Sequence, residues 1–471
     1  MRNRGVVPVL ILAGLLLLLP ALAADPASPV FAESSAEAEA AEQRLPSLQQ
    51  LVDEARPGDT LVLTEEKYAG PAVITKQLTI DGGKTAILYN ETAEAAIRIE
   101  APGVIVRGVN ILQEAAGEET AAVAVHADQA VLRELRIKTA GFGILLRDAD
   151  EALLDRNEIS WLSTSNEADV TMGQKGNGID LYNSHDNRIE RNTIAGMRDG
   201  IYLENSNGQS IEDNRLYASR YGIHCMYVKD VRILNNRGES NVTGAMIMGV
   251  RDVHVAGNIF AKQSRNVNSQ GILLFDVQNS VIERNLVEGN RVGLYIELSK
   301  DNQVIGNSIV RNFIGIQFKQ AEGNQIQSND FVANVIEAEA TDSRENELAG
   351  NYWDSAQGLD MNADGISEIP YRINPFYQEL IAKTPAFQLF FQSPGMMFLS
   401  GMYTEQEERW AKDGAPQMKL NTALAAAAPQ LAAGNMAAEP VISDQTLILI
   451  IASMLLVTAI LTILYSGVSK S

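Results

Sequence analysis

A glycine and an asparagine recur together through the middle of the sequence, and the pair repeats every 22 residues. Within each repeat, the asparagine follows its glycine by 14 residues. A unit of this length cannot bury an apolar face alone, so the repeats must stack into a solenoid. The glycines are Gly178, Gly200, Gly222, Gly244, Gly271, Gly293 and Gly315, and the asparagines are Asn192, Asn214, Asn236, Asn258, Asn285, Asn307 and Asn329.

The residues that follow each glycine alternate between apolar and more polar side chains. Ile201 and Leu203 are apolar, for example, whereas Tyr202 and Glu204 are polar. Alternation with a period of two indicates short strands with one buried face. We therefore predict an all-β protein, a right-handed parallel β-helix over residues 46–355 with about 22 residues per coil. The asparagines are expected to form an internal ladder at one corner, where they bind backbone groups and tolerate the dihedral angles of a turn.

The repeat is interrupted twice, between Gly143 and Gly178 and between Gly244 and Gly271. In both places the extra residues lie after the asparagine, within 158–177 and 259–270, so two loops should leave the same corner of the solenoid. Such loops often carry binding elements in repeat proteins. They can equally be tolerated insertions.

Four side chains on the outward face of two successive strands are candidates for metal binding. His224 and Met226 occupy the outward positions of one coil, and Met246 and Met248 occupy the same positions one coil later. Adjacent strands lie about 4.8 Å apart, which places His224 beside Met246 and Met226 beside Met248. We call these four residues the Met/His patch. Imidazole and thioether ligands suit Cu(I) and disfavour calcium, magnesium and manganese, so the patch predicts a transient Cu(I) site.

The same residues could instead pack under a loop or contact a partner protein. Leu273 and Phe275 continue the outward strip as apolar residues in the next coil, which favours a contact surface. Together with Tyr202, they are the candidates for residues that face a partner. Cys225 points inward and is expected to be an inert core residue.

Carboxylates on the same face leave an enzyme open as the alternative function. Asp180 and Glu204 lie one coil apart and could act as a general acid and base, as in a β-helix enzyme that acts on uronans. An alginate-type epimerase should carry an Asp-Pro-His-Asp cluster, and a pectate-type lyase should carry an arginine near several calcium-binding aspartates. We find neither arrangement in the sequence.

One loop spaces oxygen ligands as the first half of a calcium loop does. Asp360, Asn362 and Asp364 alternate and are followed by Gly365 at the sixth position. Tyr371 stands at the twelfth position, where such loops usually have a glutamate. A structural calcium ion and a simple turn rich in Asp and Asn are both compatible with this pattern.

The two ends of the chain predict export and membrane anchoring. Residues 1–23 have early arginines, an apolar run and small residues at a cleavage position, which indicates a signal peptide; an uncleaved anchor is the alternative. Residues 445–466 include 19 successive residues without charge and predict a transmembrane anchor with the main domain outside the cytoplasm. Between them, 356–403 is expected to be a C-terminal capping segment and 404–440 a flexible linker.

Charge and cysteine content exclude other classes of protein. The net charge of −21 argues against nucleic acid as a partner, because binding phosphate requires a basic surface. A single cysteine excludes an intramolecular disulfide, so stability must come from the core.

Several segments resemble one family, the nitrous oxide reductase maturation protein NosD. The more specific segments are Arg220-Tyr-Gly-Ile-His-Cys-Met-Tyr227, Gly350-Asn-Tyr-Trp353, and Asp364-Gly365 followed by Ile369-Pro-Tyr-Arg372. The opening Gly58-Asp-Thr-Leu-Val-Leu63 is also similar, and the resemblance extends over roughly residues 46–402.

The resemblance implies an extracytoplasmic accessory protein without enzymatic activity. Members of this family work with an ABC transporter, made of a permease and an ATPase, and with a copper chaperone, and they support copper-centre assembly in nitrous oxide reductase. Of the candidate ligands, His224 and Met226 lie in a family motif. Met246 and Met248 follow from the stacking argument alone. A membrane anchor departs from the soluble periplasmic protein that the family leads us to expect.

Overall fold

The computed structural model describes residues 45–115, 117, 119–162, 170–263, 266, 268–390, 393–403 and 411–421. The chain divides into two compact units, residues 1–45 and residues 46–471, and nearly all described residues belong to the second unit. The predicted signal peptide (1–23) and the predicted anchor (445–466) lie outside the described residues. Within the described residues, no helix is long and apolar enough to cross a membrane.

Three parallel sheets form the body of the second unit, and each coil contributes one strand to each sheet. Sheet 1 contains, in spatial order, β1 (Thr60–Val62), β4 (Thr79–Asp81), β7 (Ile105–Arg107), β10 (Val131–Arg133), β13 (Leu153–Asp155), β16 (Arg188–Glu190), β19 (Ser210–Glu212), β22 (Arg232–Leu234), β25 (His254–Ala256), β28 (Val281–Glu283), β31 (Gln303–Ile305), β34 (Gln325–Gln327), β37 (Glu347–Ala349), β40 (Lys412–Asp413) and β39 (Tyr371–Arg372).

Sheet 2 contains β2 (Lys67–Ala69), β5 (Ile87–Asn90), β8 (Asn110–Gln113), β11 (Arg136–Thr139), β14 (Glu158–Trp161), β17 (Thr193–Ala195), β20 (Arg215–Tyr217), β23 (Arg237–Glu239), β26 (Ile259–Ala261), β29 (Leu286–Glu288), β32 (Ser308–Val310), β35 (Asp330–Val332) and β38 (Tyr352–Trp353). Sheet 3 contains β3 (Ala72–Ile74), β6 (Ile97–Ile99), β9 (Ala121–Val125), β12 (Phe142–Arg147), β15 (Ile179–Tyr182), β18 (Asp199–Glu204), β21 (Tyr221–Met226), β24 (Thr243–Arg251), β27 (Gln270–Gln278), β30 (Val292–Glu297), β33 (Ile314–Lys319) and β36 (Ile336–Thr341).

The α-helices lie before the first coil and after the last one. Helix α1 (Leu48–Glu54) begins at the N-cap Ser47 and buries Leu48 and Val52 against the first coils. Helices α2 (Phe376–Lys383) and α3 (Pro394–Met402) follow the last coil, and two short 3-10 helices cover Met172–Gln174 and Pro385–Phe390.

The predicted fold is confirmed as a right-handed type of parallel β-solenoid, with about 13 turns and about 22 residues per coil. The inward positions after each glycine form the core; Ile201 and Leu203, for example, are fully buried. The glycine itself is required because successive coils approach closely where each strand of sheet 3 begins. A Cβ on Gly222 would lie 2.6 Å from the carbonyl oxygen of Gly244 in the next coil.

The asparagine series forms the expected ladder between sheet 1 and sheet 2. Nδ2 of Asn214 donates to the carbonyl of Ile189 at 2.8 Å and to Oδ1 of Asn236 at 2.9 Å. We expected the ladder asparagines themselves to adopt the left-handed conformation. It is adopted instead by the residue before the asparagine, as at Asn235 (φ 56°). The side chain of the asparagine is therefore needed for its hydrogen bonds, whereas the preceding residue makes the turn.

The end of the ladder differs from the sequence prediction. Residues 411–421, within the segment expected to be a flexible linker (404–440), return to the solenoid, and β40 pairs with β37 in parallel. Asp413 then takes the place of the next asparagine, because its Oδ2 accepts from the backbone N and from Nδ2 of Asn351, both at 2.9 Å. A flexible linker therefore does not describe residues 411–421.

The C-terminal helices pack against the outer face of sheet 3 rather than only closing the end of the solenoid. Met396 of α3 is buried in one apolar cluster with Val292, Ile314 and Ile336, each of which comes directly before the repeat position of the glycine. The outer face of sheet 3 is thus covered over its last coils. The coils that carry the Met/His patch lie farther towards the N-terminus.

The two predicted loops leave the same corner, from sheet 2 to sheet 3. The first runs from Trp161 at the end of β14 to Ile179 at the start of β15, and the second joins β26 to β27. Both are shorter than the ranges expected from the spacing, because the first residues of each range still belong to a strand. Residues 163–169, 264, 265 and 267 of these loops lie outside the described residues.

Candidate functional site

The Met/His patch lies on β21 and β24 of sheet 3, in the register expected from the repeat. His224 is paired with Met246, and Met226 is paired with Met248. On the N-terminal side, Tyr202 of β18 is paired with His224. Strict repetition of the coil length produces this arrangement, since no residue is inserted between Gly222 and Gly244. The predicted neighbours are therefore side by side on one face.

His224 differs from the prediction in its exposure. The sequence placed it on an open sheet face, but only 6% of the residue is exposed. The rings of Tyr202 and Tyr221 stand edge-on to the imidazole, with centroids at 5.0 Å and 4.8 Å. Alternation correctly assigned the side of the sheet, but the two tyrosines cover the imidazole on that side.

A buried ion pair holds one edge of the imidazole. Nδ1 of His224 lies 3.0 Å from Oδ2 of Asp199. The guanidinium of Arg220 binds the same carboxylate through Nε to Oδ1 at 2.8 Å and through a terminal nitrogen to Oδ2 at 2.5 Å. Burial alone would raise the pKa of Asp199, but the hydrogen bonds from His224 and Arg220 and the charge of Arg220 outweigh it, so the pKa is lowered. The carboxylate is therefore ionised at neutral pH.

The other edge of the imidazole is unsatisfied. Nε2 of His224 is buried and has no hydrogen-bond partner among the described residues. A buried polar atom without a partner costs about 1–3 kcal/mol and calls for an explanation such as an ion. The next coil carries Met246 in register with His224, so an imidazole and a thioether side chain occupy neighbouring positions on the same face of the sheet. This donor set fits Cu(I).

The three methionines are half-buried, and one of them already has a polar neighbour. The hydroxyl of Tyr202 lies 3.3 Å from the sulfur of Met226 and donates to Glu204 at 2.7 Å. Burial and the neighbouring carboxylate of Glu204 raise the pKa of Tyr202 well above its usual value, so the phenol keeps its proton. Tyr202 therefore contacts both a carboxylate of its own coil and a methionine of the next coil.

Apolar residues continue the strip towards the C-terminus. Leu273 is paired with Met246 and Phe275 with Met248, and both are half-buried. Cys225, between the two outward residues of β21, is fully buried, and burial raises the pKa of its thiol to about 12. It lies in the core as expected, and its thiol is protonated at neutral pH.

Asp180, considered above as half of an acid–base pair, belongs to a different network. Its Oδ1 accepts from Arg147 at 2.8 Å, and its Oδ2 accepts from Asn177 at 2.7 Å. Burial, opposed by the charge of Arg147, raises its pKa. Glu204 binds the hydroxyl of Tyr202. Each carboxyl group is thus bound to its own neighbours.

The predicted calcium loop is closed by its own hydrogen bonds. Oδ2 of Asp360 accepts from the backbone N of Gly365 at 2.9 Å, and Oδ1 of Asn362 accepts from that of Asp364 at 2.9 Å. Asn362 also donates through Nδ2 to Asp364 at 3.0 Å. Among the described residues, no group of three or more His, Cys, Asp or Glu side chains is placed to hold a metal ion. The calcium ion stays a prediction.

Asp199, Arg220 and Tyr221 were not among the candidate site residues, although Arg220 and Tyr221 lie in a segment that resembles the family. We examined only the residues after each glycine, whereas Asp199 and Tyr221 stand directly before Gly200 and Gly222. They are paired across β18 and β21, so the position before the glycine forms a row of its own beside the Met/His patch. An acidic residue and a tyrosine at this repeated position were the available signal.

A search of curated proteins finds no match to this chain. Similar solved structures include the A-module of mannuronan C-5 epimerase AlgE6 from Azotobacter vinelandii, with 14% identity, a TM-score of 0.43, and coverage of 64% of this chain and 87% of that one. The surface adhesin PfbA of Streptococcus pneumoniae has 12% identity, a TM-score of 0.46, and coverage of 68% and 91%. The periplasmic alginate epimerase AlgG has 13% identity, a TM-score of 0.38, and coverage of 68% and 74%. None of these similarities bears on function.

The family comparison is more specific. The sequence model of one family matches residues 162–365, a range that contains the whole Met/His patch, and the family is described as periplasmic copper-binding protein (NosD). The resemblance predicted from the sequence is thereby confirmed: over residues 162–365 the chain matches the NosD family of periplasmic copper-binding proteins.

Proposed function

We propose that the protein is an extracytoplasmic accessory protein for copper-centre assembly in nitrous oxide reductase, and that it handles Cu(I) at the Met/His patch. The single observation that carries this proposal is the buried Nε2 of His224, which lacks a partner among the described residues and lies beside a methionine-bearing coil. The family match over the same coils supports the choice of metal. We infer that the protein itself is not an enzyme.

The chemistry of the patch suits a copper ion that is passed on rather than kept. Thioethers are soft ligands that carry no charge, so they bind Cu(I) without the strong attraction that a thiolate adds. The thiol of Cys225 lies in the core and cannot join them. A site of this kind, without a thiolate, favours the transfer of copper to and from a chaperone.

The apolar continuation of the strip is the proposed contact surface for a partner. Leu273 and Phe275 follow the methionines in register, and Tyr202 precedes them. A partner that delivers copper would cover these residues while its own ligands reach the patch. The expected partners are the chaperone, the reductase, and the permease and ATPase of an ABC transporter. We further propose that residues 445–466 anchor the protein in the same membrane as the permease.

The alternative, an enzyme that acts on uronans, has less support from the geometry. A general acid and base must both be free to exchange a proton with the substrate. Both oxygens of Asp180 accept hydrogen bonds, from Arg147 and Asn177, and Glu204 is bound by Tyr202. Asp180 is buried and Glu204 is half-buried.

We expect the combined substitution Met226→Leu, Met246→Leu and Met248→Leu to abolish nitrous oxide reduction in a host whose own copy of the gene is deleted. Leucine keeps the volume and the apolar character of methionine but has no sulfur to bind copper. The measurement is nitrous oxide consumption by cells, together with the copper content of the purified reductase.

The matched control exchanges three exposed methionines elsewhere, Met361, Met402 and Met418, for leucine. This variant should restore reduction as well as the unchanged gene does. Normal reduction by the patch variant would contradict the role of the methionines. Normal nitrous oxide reduction by cells that lack the gene would contradict the proposed function as a whole. Cleavage of an acidic polysaccharide by the purified protein would contradict it as well.

A further inference from the structure

The position of the proton on His224 follows from its neighbours. Both oxygens of Asp199 accept hydrogen bonds from the guanidinium of Arg220, so this carboxylate is held as an acceptor and has no hydrogen to donate to the imidazole. At a distance of 3.0 Å between Nδ1 and Oδ2, the hydrogen must therefore be carried by Nδ1. The lone pair of the imidazole is then left on Nε2.

Burial makes the opposite arrangement costly. Nε2 is enclosed and has no partner among the described residues. A hydrogen on Nε2 would have no acceptor, and Nδ1 would then turn a lone pair towards a carboxylate. The unpaired N–H group and the repulsion between the Nδ1 lone pair and the carboxylate would both cost free energy in a buried site. A lone pair on Nε2 costs less and is available for a ligand.

The carboxylate is itself fixed in place. Arg220 binds both oxygens of Asp199, and the side chain of Asn177 accepts from the backbone N of Asp199 at 3.1 Å. The three residues come from successive coils, at or next to the position before the glycine. The neighbouring coils thus hold the carboxylate of Asp199 in place independently of its contact with the imidazole of His224.

We propose that Asp199, held by Arg220, is a positioning residue that fixes His224 as the Nδ1–H tautomer and presents the lone pair of Nε2 to Cu(I). The inference rests on the proposed function. Carboxylates that accept a hydrogen bond from the far nitrogen of a metal-binding imidazole set its tautomer and orientation, and removing them typically weakens metal binding ten- to a hundredfold.

The test measures tautomer and copper binding separately, on the full-length protein in detergent. The chain has four histidines, so labelling with ¹⁵N-histidine gives few signals, and His224→Phe identifies those of His224. In the copper-free protein we expect a protonated Nδ1 and an unprotonated Nε2. In Asp199→Asn, whose amide can donate, this single tautomer should be lost, and Cu(I) should bind about ten- to a hundredfold more weakly.

The control is Asp155→Asn, which changes a buried carboxylate of sheet 1 that binds Arg156 and Arg191 instead. It should leave both the tautomer and copper affinity of His224 unchanged. Arg220→Gln is a second variant in case Asp199→Asn does not fold, and it should weaken the tautomer preference.

The outcomes separate this inference from the proposed function. Protonated Nε2 in the unchanged protein, or unchanged copper affinity in a folded Asp199→Asn, would overturn the inference even if the protein binds copper. The expected tautomer in a protein that binds no Cu(I) would overturn the proposed function, and the role of Asp199 with it. The expected tautomer together with weaker binding in Asp199→Asn alone would support both.

Discussion

Replacing Asp413 by alanine is expected to destabilise the C-terminal end of the solenoid by about 3–5 kcal/mol. Its carboxylate accepts from the backbone N of Gly350 and Asn351, from Nδ2 of Asn351 and from Nε1 of Trp353, at 2.9–3.1 Å. Each buried donor left without an acceptor costs about 1–3 kcal/mol. Amide hydrogen exchange of the peptides around residues 350–353, measured by mass spectrometry, should become faster, and the thermal unfolding midpoint should fall.

Lys412→Ala is the matched control, because Lys412 is the exposed neighbour of Asp413 in the same short strand. We expect it to change neither measurement. Asp413→Asn should lie between the two variants, since one of its two oxygens becomes a donor. Unchanged exchange around residues 350–353 in Asp413→Ala would mean that residues 411–421 do not close the ladder.

Asn236→Ala is expected to have the second large effect, about 2–4 kcal/mol, because it breaks the ladder in its middle. Oδ1 of Asn236 accepts from the backbone N and from Nδ2 of Asn214, both at 2.9 Å, and Nδ2 of Asn236 donates to the carbonyl of Ile211 at 2.8 Å. The side chain is buried, so water cannot replace these partners. The thermal unfolding midpoint and hydrogen exchange at residue 214 both report the loss.

The neighbouring residue provides the control for this prediction. Asn235 is exposed and has a left-handed backbone (φ 56°), which glycine adopts without strain. Asn235→Gly should therefore be close to neutral. Equal destabilisation by the two variants would show that the position, and not the buried amide, determines stability.

The sequence predicted the fold well because one spacing governs it. A constant distance between Gly222 and Gly244 determines which residues stack, and alternation determines which of them point inward. Only one ladder was recognised, however, although side chains also bind the next coil at the other corners. At the corner between sheets 2 and 3, Ser219, Asn241 and Gln263 take equivalent positions, and their mixed identity hides the repeat. Different side chains can accept the same backbone hydrogen bond, so a ladder can be present in the structure without a repeated residue type in the sequence.

The candidate site was predicted only in part. The spacing placed His224 beside Met246, but alternation gives the side of a sheet and not the burial of a residue on it. Burial depends on large side chains in neighbouring rows, here Tyr202 and Tyr221. The ion pair with Asp199 joins residues 25 positions apart in different rows, which a period of 22 does not reveal.

The C-terminal return of the chain was missed for a related reason. Asp413 binds Asn351 across 62 residues and outside the repeat, so no periodic signal announces it. The region around it is rich in polar and small residues, which is typical of a linker. A single carboxylate that replaces the next asparagine of a ladder does not repeat in the sequence, so it is recognised only from its contacts in the structure.

Titration of the full-length protein with Cu(I), in detergent and against a chromogenic Cu(I) chelator, tests the central claim most directly. The unchanged protein and the control with leucine at Met361, Met402 and Met418 should both take a stoichiometric amount of Cu(I) from the chelator. The variant with leucine at Met226, Met246 and Met248 should not. Equal binding by the two leucine variants would place copper elsewhere on the chain. A lack of binding by the unchanged protein would contradict a copper site on this solenoid.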